Sequence, residues 1–119
     1  MTVRRIKSYS AATGYVYQYH FEAVRPQAKR RGQEGTEYVY LVSRDRKHSF
    51  EVPVFLRRDA AARWAAAHGR PLNGTEEYAA AKMRLFAAFD EIEALEAARL
   101  NVEITPENVE ALLAPRELD

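Results

Sequence analysis

Residues 15–23 read YVYQYHFEA, with an aromatic ring at every second position: Tyr15, Tyr17, Tyr19 and Phe21. A period of two is that of a β-strand, whose side chains alternate between faces. The four rings therefore share one face, and Val16, Gln18, His20 and Glu22 share the other. The fold depends on whether the ring face is interior or a platform on which bases stack.

Two further alternating stretches follow. Residues 36–43, TEYVYLVS, put Tyr38, Tyr40 and Val42 on one face and Val39 and Leu41 on the other; apolar residues on both faces are the mark of a central strand. Residues 49–56, SFEVPVFL, put Phe50, Val52, Val54 and Leu56 together, and Pro53, which lacks a donor, places this strand at a sheet edge or bulge. Between the first two strands VRPQAKRRGQEG, with Pro26, Gly32, Gly35 and a run of charges, reads as a long exposed hairpin loop. RDRKH, residues 44–48, reads as a short polar turn. The apolar faces coincide only in certain registers. Val42 opposite Phe50 aligns the last two strands, and the first two need an odd register sum such as Phe21 opposite Tyr38 and Tyr19 opposite Tyr40.

Near Asp59 the period changes to helical. Asp59 is an N-cap for AAARWAAAH and Gly69 its C-cap, which predicts a helix whose large apolar residue is Trp64. Thr75 caps a longer helix with Glu76 and Glu77 in its first turn and an apolar stripe of Tyr78, Leu85, Phe86, Phe89 and Ile92. That helix extends toward Arg99, with a bend possible within DEIEALEAAR. LNVEIT is open between a short strand and an extended linker, Thr105-Pro106-Glu107 starts a final helix over ENVEALLA, and PRELD reads as a loose end.

The long helix needs an apolar partner, and the ring face is the adequate one in the chain. Leaving its seven aromatic residues in water would forfeit more than a domain's usual stability of about 5–15 kcal/mol. The ladder is therefore expected to be core, with tyrosine hydroxyls reaching water or a polar partner at the sheet margin. The class is α+β: a three- or four-stranded antiparallel meander packed on one face by helices, with a short C-terminal helix. One domain is expected over residues 1–119, a length with 47% hydrophobic and 29% charged residues that suits a single unstapled core.

The chain has no cysteine, so disulfides and thiolate metal sites are excluded. No run resembles a signal peptide or a membrane span, and a cytoplasmic, non-membrane protein is the expectation. The net charge of +1 conceals an asymmetry: twelve basic against five acidic residues up to Arg58, then six against twelve from Asp59 onward. Halves of opposite sign suggest either contact with a polyanion or mutual attraction within a monomer or dimer.

His20, His48 and His68 fall on a strand, a turn and a helix end, without the spacing of a metal site, so neither metal nor cofactor is expected. His20 and Glu22 share a strand face and form the one conceivable acid-base pair, but no nucleophile motif or phosphate loop accompanies them. The chain is accordingly expected not to be an enzyme. The best remaining signal is basic: Arg25, Lys29, Arg30 and Arg31 in the hairpin loop, and Arg44, Arg46 and Lys47 at the other end of the central strand.

From Gly14 to Gly69 the order of antiparallel strands followed by a helix is similar in outline to the single-stranded nucleic-acid-binding modules of the PUR-repeat type. That resemblance rests on element order and implies a curved sheet backed by a helix. It also implies a fourth strand before the helix, which VRRIKSY or LNVEIT would have to supply. The leading expectation is a non-enzymatic protein whose basic loops, at the seven positions named above, contact nucleic acid or another polyanion. The alternative is a homodimeric or protein-interaction module using the second sheet face around Val39, Leu41 and Phe55, with no nucleic acid.

Overall fold

The structure, a computed structural model, describes residues 5–114. Five strands form one sheet in the spatial order β1 (Lys7–Ser10), β2 (Val16–Arg30), β3 (Gln33–Ser43), β4 (Ser49–Arg57) and β5 (Glu103–Ile104). The first four make an antiparallel meander and β5 runs parallel to β4. The helices are α1 (Arg58–His68), α2 (Gly74–Glu91), α3 (Leu95–Ala98) with a 3₁₀ turn over Arg99–Asn101, and α4 (Val109–Leu113). The class is the expected α+β, but the sheet has five strands and not three or four. VRRIKSY contributes to β1 and LNVEIT supplies β5, so the meander of four strands before a helix is present. PRELD lies outside the described residues.

The aromatic ladder is interior, and α2 is what covers it. Tyr17 stacks on Phe89 at 4.2 Å, and Tyr19 meets Phe86 edge to face at 5.6 Å. Tyr17, Tyr40, Val52, Val54, Leu85 and Phe89 are fully buried in one cluster that joins sheet and helices. Ala80, Ala81 and Ala88, also fully buried, let the helix approach the sheet closely enough for the rings to interdigitate. Register follows the required parity: Val42 pairs with Phe50, and Tyr19 pairs with Val42, an odd sum lying two residues from the expected pairing. Tyr15 is the exception. It precedes β2, stays 36% exposed and carries the Arg44 guanidinium 3.7 Å above its ring.

Hydroxyls reach polar partners at the cluster's margin. Tyr38 donates to Glu77 Oε1 at 2.6 Å, and Tyr9, whose ring stacks on Phe86, donates to Asp90 at 2.8 Å. Burial and the Glu77 contact push the Tyr38 phenol well above its ordinary value, so it remains a donor.

The largest departure concerns VRPQAKRRGQEG, which is strand and not loop. β2 and β3 stay paired to a tight turn at Arg31 and Gly32, with φ of 52° and 80°, as a ribbon that β4 flanks as far as Gly35. Two positive φ values are those of the type I′ turn that matches strand twist. Pro26 is accommodated because it lies within a register shift between Arg25 and Ala28, on the side of β2 that faces no strand. A second shift between Phe21 and Ala23 adds to the curl. The edge position read from Pro53 holds in substance: β5 pairs with β4 only at Phe55 and Leu56.

Helix starts also differ from expectation. Since β4 runs directly into α1, Asp59 falls inside the first turn and accepts from Arg57 Nε at 2.9 Å, without capping. In α2 the cap is Asn73 and not Thr75: Asn73 Oδ1 accepts from Glu76 N at 2.8 Å and Glu76 Oε1 accepts from Asn73 N at 3.0 Å, a capping box. Asn73→Ala is expected to lower stability by about 1 kcal/mol, read as a shift in the urea midpoint with unchanged slope. The helix ends at Glu91, and the stretch toward Arg99 breaks into α3 and the 3₁₀ turn. α4 begins at Val109 after a turn in which Thr105 N donates to Asn108 Oδ1 at 2.8 Å, and Leu113 is its buried anchor.

Candidate polyanion interface

The basic residues divide by what the fold does with their charges. In the ribbon, Arg25 bridges Glu37 at 3.3 Å and Glu51 at 3.4 Å across three strands. Arg30 is nearly buried, its side chain 8% exposed. Its guanidinium lies 4.7 Å above the Phe55 ring and donates to Glu37 Oε2 at 3.1 Å, Val102 O at 3.1 Å and Pro53 O at 2.8 Å. Arg31 pairs with Glu103 and donates to Asn101 Oδ1 at 3.1 Å. Lys29 is exposed and has no side-chain partner among the described residues. Much of the ribbon's positive charge is thus neutralised by the chain's own acids: Glu37 and Glu51 belong to the same basic half, and Glu103 to the acidic half.

At the opposite end of β3 the turn Arg44–His48 is built by its own polar groups. Asp45 Oδ1 accepts from Lys47 N and His48 N, each at 2.9 Å, and Ser43 Oγ accepts from Arg46 N at 2.8 Å. The two backbone donors hold the Asp45 carboxyl below its usual range. Arg46 takes a positive φ of 67° in this frame. Arg44 is turned inward, over Tyr15, donating to the Tyr17 hydroxyl at 3.2 Å and to Glu93 O. Arg46 and Lys47 project outward, with no side-chain partner among the described residues. Of the seven expected contacts, Lys29, Arg46 and Lys47 are therefore presented to solvent with no ion pair among the described residues. Arg25 is half-exposed but paired; Arg30, Arg31 and Arg44 are held by the fold.

Beside this turn a groove of about 460 Å³ separates it from α3, lined by Arg44, His48, Phe50, Leu95, Glu96 and Arg99. His48 Nε2 lies 3.0 Å from Glu96 Oε2, and this carboxylate raises the imidazole's pKa. On the second sheet face His20 and Glu22 do meet, at 3.1 Å. The three residues expected to form an apolar patch there do not make one. Val39 and Phe55 are 1% and 0% exposed, because the curled ribbon lays Arg30 over Phe55, while Leu41 alone of the three is part-exposed.

Sequence reading missed a second basic feature. Where β1 leaves β2, a pocket of about 230 Å³ is lined by Arg5, Lys7 and Lys82 with Tyr19, His20 and Tyr78. One signal for it was available: Lys82 lies four residues from both Tyr78 and Phe86, on the apolar stripe of α2. Among the described residues no three His, Asp or Glu side chains group as metal ligands, and no helix is long and apolar enough to cross a membrane. Comparison of the chain with protein-family models, curated proteins and solved structures finds no match.

Proposed function

We propose that the chain is a non-enzymatic binding protein for nucleic acid or a similar extended polyanion, held by the exposed cations of the two β-turns. The supporting observation is that Lys29, Arg46 and Lys47 are exposed and make no ion pair among the described residues, while neighbouring arginines are bound internally. Lys29 pairs at Glu34 near the start of β3 and Arg46 follows its end at Ser43. At about 3.3 Å per residue the two turns are some 30 Å apart, a span suited to an extended polymer and not to a small ligand.

The test is gel filtration with light scattering, with and without a single-stranded oligonucleotide, at low and moderate salt. Binding is expected to fall steeply with salt. Replacing Lys29, Arg46 and Lys47 by Gln should reduce the slope of log K against log salt by about 2, the loss of three phosphate contacts at roughly 0.7 each. No shift of the elution position at low salt overturns the reading. Self-association in the same runs, abolished by Leu41→Asp and insensitive to salt, would instead support the interaction module.

A further inference from the structure

We propose that the pocket between β1, β2 and α2 is a separate binding site for a phosphate monoester, its phosphoryl group held by Arg5, Lys7 and Lys82. This site shares no residue with the two turns and goes beyond the reading of them as polymer contacts.

Elsewhere Arg25, Arg30, Arg31, Arg57, Arg58 and Arg70 are ion-paired with carboxylates, and Lys29, Arg46 and Lys47, which make no ion pair among the described residues, stand singly on exposed turns. The pocket departs from that pattern. Lys7, from the first strand, and Lys82, from the long helix, approach closely enough to act on each other, Arg5 joins them, and no carboxylate is among the lining residues. The acids adjacent in sequence to the wall are engaged: Glu22 is bonded to His20, which lines the pocket, and Glu77 accepts from the Tyr38 hydroxyl. Lys82 is half-buried, with Phe86 6.0 Å from its ammonium, so its charge is poorly hydrated as well as repelled. Burial first, and Lys7 second, lower its pKa.

Like charges gathered in a concave, partly desolvated site are unfavourable until an anion joins them. A phosphate supplies several acceptor oxygens for two ammonium groups and a guanidinium. Tyr19 and Tyr78 line the same pocket and offer an aromatic wall to whatever carries the phosphate. A pocket of about 230 Å³ has room for a phosphoryl group and part of its organic substituent.

The experiment is calorimetric titration of the full chain with inorganic phosphate, adenosine monophosphate, adenosine and an oligonucleotide lacking terminal phosphates, against the wild type and Lys82→Met. The substitution keeps the apolar stem and removes a poorly hydrated charge, so the fold should be retained. Adenosine monophosphate should bind, phosphate more weakly and adenosine not at all. Lys82→Met should weaken the monophosphate about tenfold or more, the scale of a hydrogen bond to a charged group, while Arg63→Gln, at an exposed position on α1, leaves it unchanged. Labelling of Lys82 by an amine-reactive reagent, located by mass spectrometry, should be slowed by the monophosphate and not by adenosine. No heat and no protection at about 10 mM monophosphate, weaker than any useful affinity, overturns the proposal. Equal affinity in Lys82→Met does so too. Binding of the phosphate-free oligonucleotide that is lost in Lys82→Met would assign the pocket to the polymer's backbone and overturn the monoester.

Discussion

Arg30→Ala is expected to destabilise the protein by about 3 kcal/mol, the scale on which breaking a buried ion pair acts. The side chain leaves the hairpin tip, crosses the second face of the sheet over Phe55 and ends at the β4–β5 edge, where it reaches Pro53 O and Val102 O. It therefore ties the ribbon to the far edge of the sheet. Removing it uncovers Phe55 and leaves the Pro53 carbonyl without the donor it now has, while Glu37 and Glu103 keep Arg25 and Arg31 as partners. Those remaining partners set the expectation at the lower end of the range. Urea denaturation should show the loss directly, with a fall in melting temperature on the order of 10 °C. Arg30→Lys should still lose at least about 1 kcal/mol, because one ammonium cannot reproduce a planar fork that serves a carboxylate and two carbonyls. A change below about 0.5 kcal/mol, the usual size for a surface substitution, would mean that Arg30 is an exposed loop residue after all.

Gly35→Ala should be comparably damaging for a different reason. A Cβ at Gly35 would collide with the Leu56 carbonyl oxygen and lie 3.0 Å from both the Leu56 carbonyl carbon and Phe55 Cζ. Two of the three obstacles are backbone atoms of β4, so relief requires β3 and β4, paired here at Gly35 and Arg57, to separate. Overpacking of this kind costs about 1–3 kcal/mol, and here displacement of the ribbon also weakens the Arg30 clasp, so the upper end is expected. Gly74→Ala is the control. It lies in the first turn of α2 with nothing within 4 Å of the added atom. It should be neutral or stabilising by up to about 1 kcal/mol, as Gly to Ala is in helices. Equal effects at the two positions would refute the close-approach argument.

The two substitutions act on the part of the fold that was hardest to read. VRPQAKRRGQEG has every compositional sign of a loop, because proline, glycine and charge all disfavour a regular strand. What makes it a ribbon is its position. Pro26 sits at a register shift on the open side of β2, Gly35 admits the backbone of β4, and Arg30 finds acceptors supplied by residues 53 and 102. None of these is a property of the segment alone. The same holds for the apolar patch expected at Val39, Leu41 and Phe55: alternation correctly assigned all three to the second face, but a distant arginine covers one of them. The pocket at Lys7 and Lys82 likewise joins residues far apart in the chain.

The sequence by itself determined the α+β class, the identity of the buried ring face, the parity of the registers, the pairing of Val42 with Phe50 and the need for a long helix over Tyr17 and Tyr19. These follow from a period of two and a period of 3.6, which are local, and from an aromatic area too large to leave in water. Tertiary structure decided the number of strands, the path of the ribbon and the state of each charge. Whether an arginine is a contact for a partner or an internal clasp depends on which carboxylates and carbonyls arrive beside it, and these come from other elements. Arg30 and Lys29 are neighbours in the chain, yet one is enclosed and the other presented to solvent, because adjacent residues of a strand point to opposite faces and only one face is overlaid by the curl.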